Sequence, residues 1–198
     1  MRFVKPVTSA FMMEARIDAW HKDDRDFAVD YRWVPYASIS KHIKLAVIAS
    51  EDQRFELHNG FDFESIDQAL REREQGKRVR GASTITQQVA KNLFLWPGQS
   101  FLRKGIEAYF TLLIEIFWPK QRILEVYLNI AEFGKGLYGV GAAAPRLFHT
   151  DPLHLTPGQS ALLAAVLPSP RHLHANQPSA YLLRRQALIP VSYTHLRA

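Results

Sequence analysis

The 198-residue sequence predicts an all-α domain, and two observations carry that expectation. Apolar residues recur at helical spacing in segment after segment, each closed by a glycine or proline, and convincing strand alternation is absent. Residues 1–37 read as an irregular N-terminal segment that leads through "YRWVPY" into the first strong pattern. "SISKHIKLAVIASEDQRFELHNG" then predicts a helix, with Ser38 or Ser40 near its start and Asn59-Gly60 as its stop. Leu45 to Ala49 is apolar all round, which predicts full burial. A second helix, "FESIDQALREREQG", ends at Gly76 and is followed by the basic loop "KRVRG". In "STITQQVAKNLFLW" Thr84 and Gln87 have capping-box spacing, so a third helix begins at Ser83 or Thr84. "SFLRKGIEAYFTLLIEIFW" stops at Pro119, "KQRILEVYLNIAEFG" at Gly134 and "PGQSALLAAVL" at Pro168. "GVGAAAPRLF" has a helical pattern but carries Pro145 inside it.

Composition narrows the chemistry. Apolar residues make up 47% and charged residues 22%, the balance of a folded globular chain. The absence of cysteine excludes disulfides, thiolate catalysis and cysteine metal sites. Eight scattered histidines include no HExxH pairing, so no metal site is expected. A formal net charge of +6 favours anionic partners such as phosphates or acidic lipid headgroups. The richest apolar run, "AYFTLLIEIFW", is interrupted by Thr111 and Glu115 and falls short of the ~20 residues of a spanning helix, so it reads as a core helix. "MRFVKPVTSAFMM" lacks the apolar length of a signal peptide. As written, the chain is expected neither to span a membrane nor to carry an export signal.

The helix after Ser83 raises a chemical question, because its polar face carries hydroxyls and amides where charges would be usual. Ile85, Val89, Leu93 and Trp96 fall on one side, and Thr84, Gln87, Gln88 and Lys91 on another. A helix N-terminus with hydroxyls, amides and one ammonium suits an anion bearing many oxygens, such as a sugar diphosphate. A capped helix with a solvated face would share the pattern. Glu51 and Asp52 follow the buried run directly, and a carboxylate held against apolar surface can serve as general base or acid. Adjacent helix residues diverge by about 100°, so the two need not share a site. Two acids in a C-terminal turn oppose the helix dipole, which a purely structural reading leaves unexplained. "RKGIE" puts Arg103, Lys104 and Glu107 on one face, though Arg103 and Glu107 also form an everyday i,i+4 pair. His58 reads as a structural hydrogen-bonding residue, and Tyr127 and Asn129 as packing and hydrogen-bonding residues.

Together, "EDQRFELHNGFD", "GASTITQQVAKN", "RKGIE" and "ILEVYLNIAEFGKGLYG" resemble, in order and spacing, the signature blocks of the peptidoglycan glycosyltransferases, above all their monofunctional Gram-negative members. The resemblance runs from about Val7 to Leu188. It implies a lysozyme-like, two-lobed helical glycosyltransferase domain over 38–190, with a mobile lobe near the membrane. It implies transfer of a growing chain from undecaprenyl diphosphate to the GlcNAc 4-hydroxyl of lipid II, giving a β-1,4 bond with inversion. By this likeness Glu51 is the general base and Glu107 the second catalytic carboxylate. Gln88 and Lys91 contact the donor, Arg103 and Lys104 the departing diphosphate, and Ser83 and Thr84 complete the substrate-binding set. No cofactor is obligatory, although Mg or Mn can bridge a diphosphate. The implied place is the periplasmic face of a bacterial inner membrane. Implied partners are lipid II, the membrane surface and cell-division or cell-wall synthesis proteins, with no nucleic acid.

Several positions depart from the family pattern. Gln99 stands where an arginine is usual, which predicts the loss of a charge-assisted contact of ~1.5–3 kcal/mol. Gly141 replaces the first residue of an "EAAA" run, and with Pro145 it is expected to weaken its helix. The resemblance leads one to expect an N-terminal membrane anchor ahead of the domain, and the sequence as written is expected to lack it. "VSYTHLRA" after Pro190 continues no helix pattern, resembles a translated sequencing adapter, and reads as a non-native tail over 191–198. Rival readings are an inactive fragment, a lysozyme-like glycan-cleaving enzyme and a basic lipid- or nucleic-acid-binding module. A glycan-cleaving enzyme has no need of a diphosphate-binding constellation, and no nucleic-acid-binding motif is present.

Overall fold

The computed structural model describes residues 2–76, 83–98 and 100–195, the last six of them by backbone alone. In chain order the elements are α1 (Ala10–His21), β1 (Asp30–Tyr31), a 3₁₀ turn (Tyr36–Ser38), α2 (Lys41–Glu51), α3 (Phe63–Glu74) and α4 (Ile85–Phe94). They continue with α5 (Phe101–Phe117), α6 (Lys120–Ile130), β2 (Glu132–Gly134), β3 (Leu137–Tyr138), α7 (Val140–Phe148), α8 (Pro157–Val166) and α9 (Ala180–His195). The expected all-α class is what these residues adopt. Helix α4 packs against both α5 and α6, while α8 packs against both α2 and α9. One apolar core joins them, with Ile43, Val47, Ile85, Val89, Val126 and Leu163 each removed from solvent.

Residues 1–37 correct the expectation of an irregular segment, because α1 lies within them. Ser9 caps it by accepting from the Met12 amide, and Met12 and Ala15 enter the core. Met13, Ile17 and Trp20 are exposed, so apolar residues lie on two sides of α1 and blur its period. The chain then clips onto α6. Val34 N–H donates to Asn129 Oδ1 at 2.7 Å, Asn129 Nδ2 donates back to Val34 O at 2.9 Å, and Tyr36 N–H donates to Glu125 at 2.8 Å. The packed domain therefore begins well before residue 38.

A small sheet, in the order β1-β3-β2, also departs from expectation. Its strands have two or three residues, too short for alternation to register. Strand β2 takes up residues expected to prolong α6, so that helix ends at Ile130 and not at Gly134. Helix α2 likewise stops at Glu51, and turns carry the chain to Gly60. The cause is Asp52, whose carboxylate is held by His58 Nε2 at 2.8 Å and by the Ile85 amide at 2.9 Å, drawing its backbone out of the helix. Gly60 turns with a φ of +89°, and a Cβ there would lie 2.8 Å from Thr111 Cγ2.

Helix α7 keeps Pro145 inside it, and α9 runs through Pro190 to His195, so the break expected after Pro190 is not seen. A proline removes one ladder bond, and a helix can continue past it. The reading of residues 196–198 and of Gln99 lies outside the described residues, as does the loop 77–82.

Helix α5 reverses its expected orientation. Its buried side chains are Arg103, Glu107, Thr111 and Ile114. Phe101, Leu102, Tyr109, Leu112, Ile116 and Phe117 are exposed. Of the run 108–118 read as a core helix, Ile114 and Trp118 are buried and Phe110 packs against the core, while Arg103, Glu107 and Thr111 are buried beside them on the side that meets α4.

Candidate active site

Helix α4 organises the site. Its N-terminus is fastened by the expected capping box, in which Thr84 Oγ1 accepts from the Gln87 amide and Gln87 Oε1 accepts from the Thr84 amide at 3.0 Å. Asp52 satisfies the next free donor, Ile85 N–H. The Thr84 hydroxyl donates to Gly60 O at 2.6 Å and is buried, so its expected substrate contact gives way to a capping role. Ser83 is exposed at the entrance to the helix. Thr86 and Gln87 are buried as well, and Thr86 donates to Glu115 at 2.5 Å. Uncharged hydroxyls and amides line this helix because most of its surroundings are protein, where an unpaired charge would be costly.

Gln88 and Lys91 lie in a different direction, toward Glu51. Gln88 Nε2 donates to Glu51 Oε2 at 3.1 Å, and Ser50 Oγ donates to Glu51 Oε1 at 3.2 Å. Glu51 is half-buried at the last position of α2, while Asp52 is buried and points to His58 and α4. The adjacent acids are thus split, one toward the site and one into the scaffold. His58 plays the structural part expected of it: its Nδ1 accepts from Gly60 N–H, which leaves Nε2 to donate to Asp52.

From α5, Arg103 Nη1 donates to Glu107 Oε2 at 2.8 Å, and Lys104 Nζ reaches Glu107 Oε1. Glu107 and Arg103 are buried, so this pair is not the solvated i,i+4 contact its spacing allows. Lys91 joins the two groups. Burial draws its pKa below the ordinary lysine value, Glu107 and Glu51 push it up, and Arg103 and Lys104 pull it down. The Lys91 ammonium also lies 5.5 Å from the Phe11 ring centroid, a contact from α1 that sequence reasoning missed. Arg103 Nε and Asn92 Oδ1 are buried without a hydrogen-bond partner, a polar capacity that a ligand would use. Asn92 follows Lys91 directly in the "GASTITQQVAKN" block.

The structure therefore brings together Glu51, Gln88, Lys91, Arg103, Lys104 and Glu107, and turns Thr84 away. Glu51, with a hydrogen bond on each oxygen, shares α4's Gln88–Lys91 face with Lys91, whose charge also feels Arg103, Lys104 and Glu107. That arrangement suits an enzyme that takes a proton from one substrate and meets negative charge on another.

Comparison with known proteins narrows the class. A family model described as Transglycosylase matches residues 22–192. The chain is 52% identical over 185 residues to a protein named biosynthetic peptidoglycan transglycosylase from Xanthomonas oryzae pv. oryzae, covering 93% of this chain and 76% of that one. It is 50% identical over 188 residues to a protein of the same name from Xylella fastidiosa, with 95% and 77% covered. A Pseudomonas fluorescens protein, again of that name, is 51% identical over 185 residues, with 93% and 77% covered. The chain belongs to the transglycosylase family and has the lysozyme-like helical fold of its domain. It is an enzyme of the glycosyltransferase class.

Proposed function

We propose that this chain polymerises peptidoglycan glycan strands, joining a lipid-diphosphate-linked growing chain to lipid II. Glu51 takes the proton of the GlcNAc 4-hydroxyl as that oxygen attacks C1 of the donor MurNAc. The C1–O bond to the diphosphate breaks from the opposite face, its electron pair leaves with the diphosphate, and the new β-1,4 bond carries inverted configuration. Lys91, Arg103 and Lys104 meet the charge that develops on the leaving group, with Glu107 holding the last two in register. Charge neutralisation is assigned to these side chains, and Mg or Mn would at most add positive charge at the diphosphate, which a chelator titration tests. Arg103 Nε and Asn92 Oδ1 are assigned to donor contacts.

One observation carries this reading: Gln88, which donates to Glu51, stands one turn before Lys91 on α4, so the same helix presents an amide to the base and an ammonium beside it. The outward apolar face of α5 supports a substrate held in lipid, because Phe101, Leu102, Tyr109 and Ile116 would otherwise meet water. Among the described residues no helix is long and apolar enough to cross a membrane. The reading therefore assigns α5 to lie on a bilayer, at the periplasmic face of an inner membrane.

The test is polymerisation of labelled lipid II in detergent. The parent is expected to make glycan strands, and Glu51→Gln to lose about a hundredfold or more in kcat while remaining folded. Equal activity in the two proteins would remove Glu51 from the chemistry. A folded parent that makes no strands calls for Gln99→Arg; activity then restored would leave the reading in place, and continued silence would end it.

A further inference from the structure

The carboxylate of Glu51 is one end of a relay that continues to a buried phenol on α6. Tyr127 is 1% exposed, and its hydroxyl donates to Gln88 Oε1 at 3.1 Å. Gln88 Nε2 donates in turn to Glu51 Oε2 at 3.1 Å. The direction of this relay is set by chemistry. With the amide turned over, its carbonyl oxygen would face a carboxylate oxygen, two acceptors with no proton between them. A phenol that donates holds the amide the other way, carbonyl toward Tyr127 and NH₂ toward Glu51.

We infer that Tyr127 is a positioning residue for the base: it fixes the Gln88 amide so that Gln88 stabilises the Glu51 carboxylate and holds it in the orientation that meets the acceptor hydroxyl. This rests on the reading of Glu51 as general base. Burial, with the nearby charges of Glu51 and Asp52, keeps the Tyr127 hydroxyl well above the ordinary tyrosine pKa, so it remains a donor throughout any working pH range. Among the described residues, Lys91 from α4 and Tyr127 from α6 are titratable groups on which the Glu51 charge acts, while Asp52 beside it points to His58 and Ile85. Lys91 acts through charge, whereas Tyr127 acts through the orientation of Gln88. Asn129, two residues on in the same motif, clips the 34–36 segment and serves the scaffold.

The test uses the full chain with ¹³C-labelled glutamate, following the Glu51 carboxyl titration by NMR in the parent, Tyr127→Phe, Gln88→Ala and the double variant. An N–H donated to a carboxylate favours its charged form, so loosening Gln88 raises the Glu51 pKa. Tyr127→Phe is expected to move the titration up by about half a unit and to lower kcat about three- to tenfold with little change in KM. In the Gln88→Ala background the same change is expected to move neither quantity further, because the relay is already cut. An unmoved titration in Tyr127→Phe overturns the inference, as does an equal shift in both backgrounds. A titration that moves while kcat does not would leave the relay standing and remove Glu51 from its role as base.

Discussion

Lys91 shows at the scale of one residue how the site trades stability against chemistry. Burial, together with the Arg103 and Lys104 charges, depresses its pKa more than Glu107 and Glu51 restore it, so folding is penalised for carrying its charge. The sign follows from proton counting. The unfolded chain holds a proton on this lysine up to the ordinary value of 10.5, while the folded chain releases it earlier, so stability rises with pH through that window. Lys91→Met is therefore expected to be more stable than the parent at pH 7 in urea unfolding, with the gap closing as pH rises toward 10.5. In polymerisation the same variant should lose about a hundredfold, the scale of one missing electrostatic donor at a reacting centre. A variant less stable at neutral pH would mean that the Phe11 contact and the two carboxylates outweigh burial.

At the scale of the element, α5 buries Arg103 and Glu107 while Phe101, Leu102, Tyr109, Leu112, Ile116 and Phe117 lie outside. This inversion is stable because Arg103 and Lys104 pair with Glu107, Thr111 donates to Glu107 O at 2.7 Å, and Lys120 pairs with Glu115 at 2.9 Å. The outer residues then contribute little to the fold. Replacing Phe101 and Ile116 together by Glu should change unfolding free energy by no more than about 0.5 kcal/mol per site. Their contribution on a bilayer is larger, since burying each such side chain is worth about 1.5–3 kcal/mol. Co-sedimentation with phospholipid vesicles should accordingly fall about tenfold or more. A loss of several kcal/mol in stability with unchanged vesicle binding would show that this face packs against protein. Sequence periodicity finds two faces on such a helix but cannot say which one the rest of the chain will cover. That depends on α4, which meets α5 through Phe94 stacked on Phe110 at 4.7 Å and leaves the face bearing Phe101, Leu102 and Ile116 uncovered.

At the scale of the molecule, what was legible in the sequence was what depends on neighbours in the chain. The cap at Thr84 and the stops before Pro119 and Pro168 follow from short-range spacing, whereas the set of site side chains was implied by the family resemblance of four motif blocks. What was not legible depends on contacts across the chain. Asp52 ends α2 because it reaches Ile85, β1 pairs with β3 more than a hundred residues away, and the orientation of Gln88 depends on a tyrosine in another motif. Gly141 belongs with these. Read locally it is a weak point in α7, since glycine in a helix interior costs about 1 kcal/mol relative to alanine. In the fold, the 32–34 segment passes directly over it: a Cβ at 141 would lie 2.0 Å from Arg32 O and 2.7 Å from Val34 Cγ2. The oxygen belongs to backbone tied to α6 through Asn129, so it has little room to move. Overpacking of this kind costs about 1–3 kcal/mol, enough to cancel or exceed the gain in helix propensity. Gly141→Ala is thus expected to lower stability in urea unfolding and to loosen hydrogen exchange at Val34, whose amide is held by Asn129. A gain of about 1 kcal/mol instead would mean that local propensity decides at this site and that the segment over α7 yields.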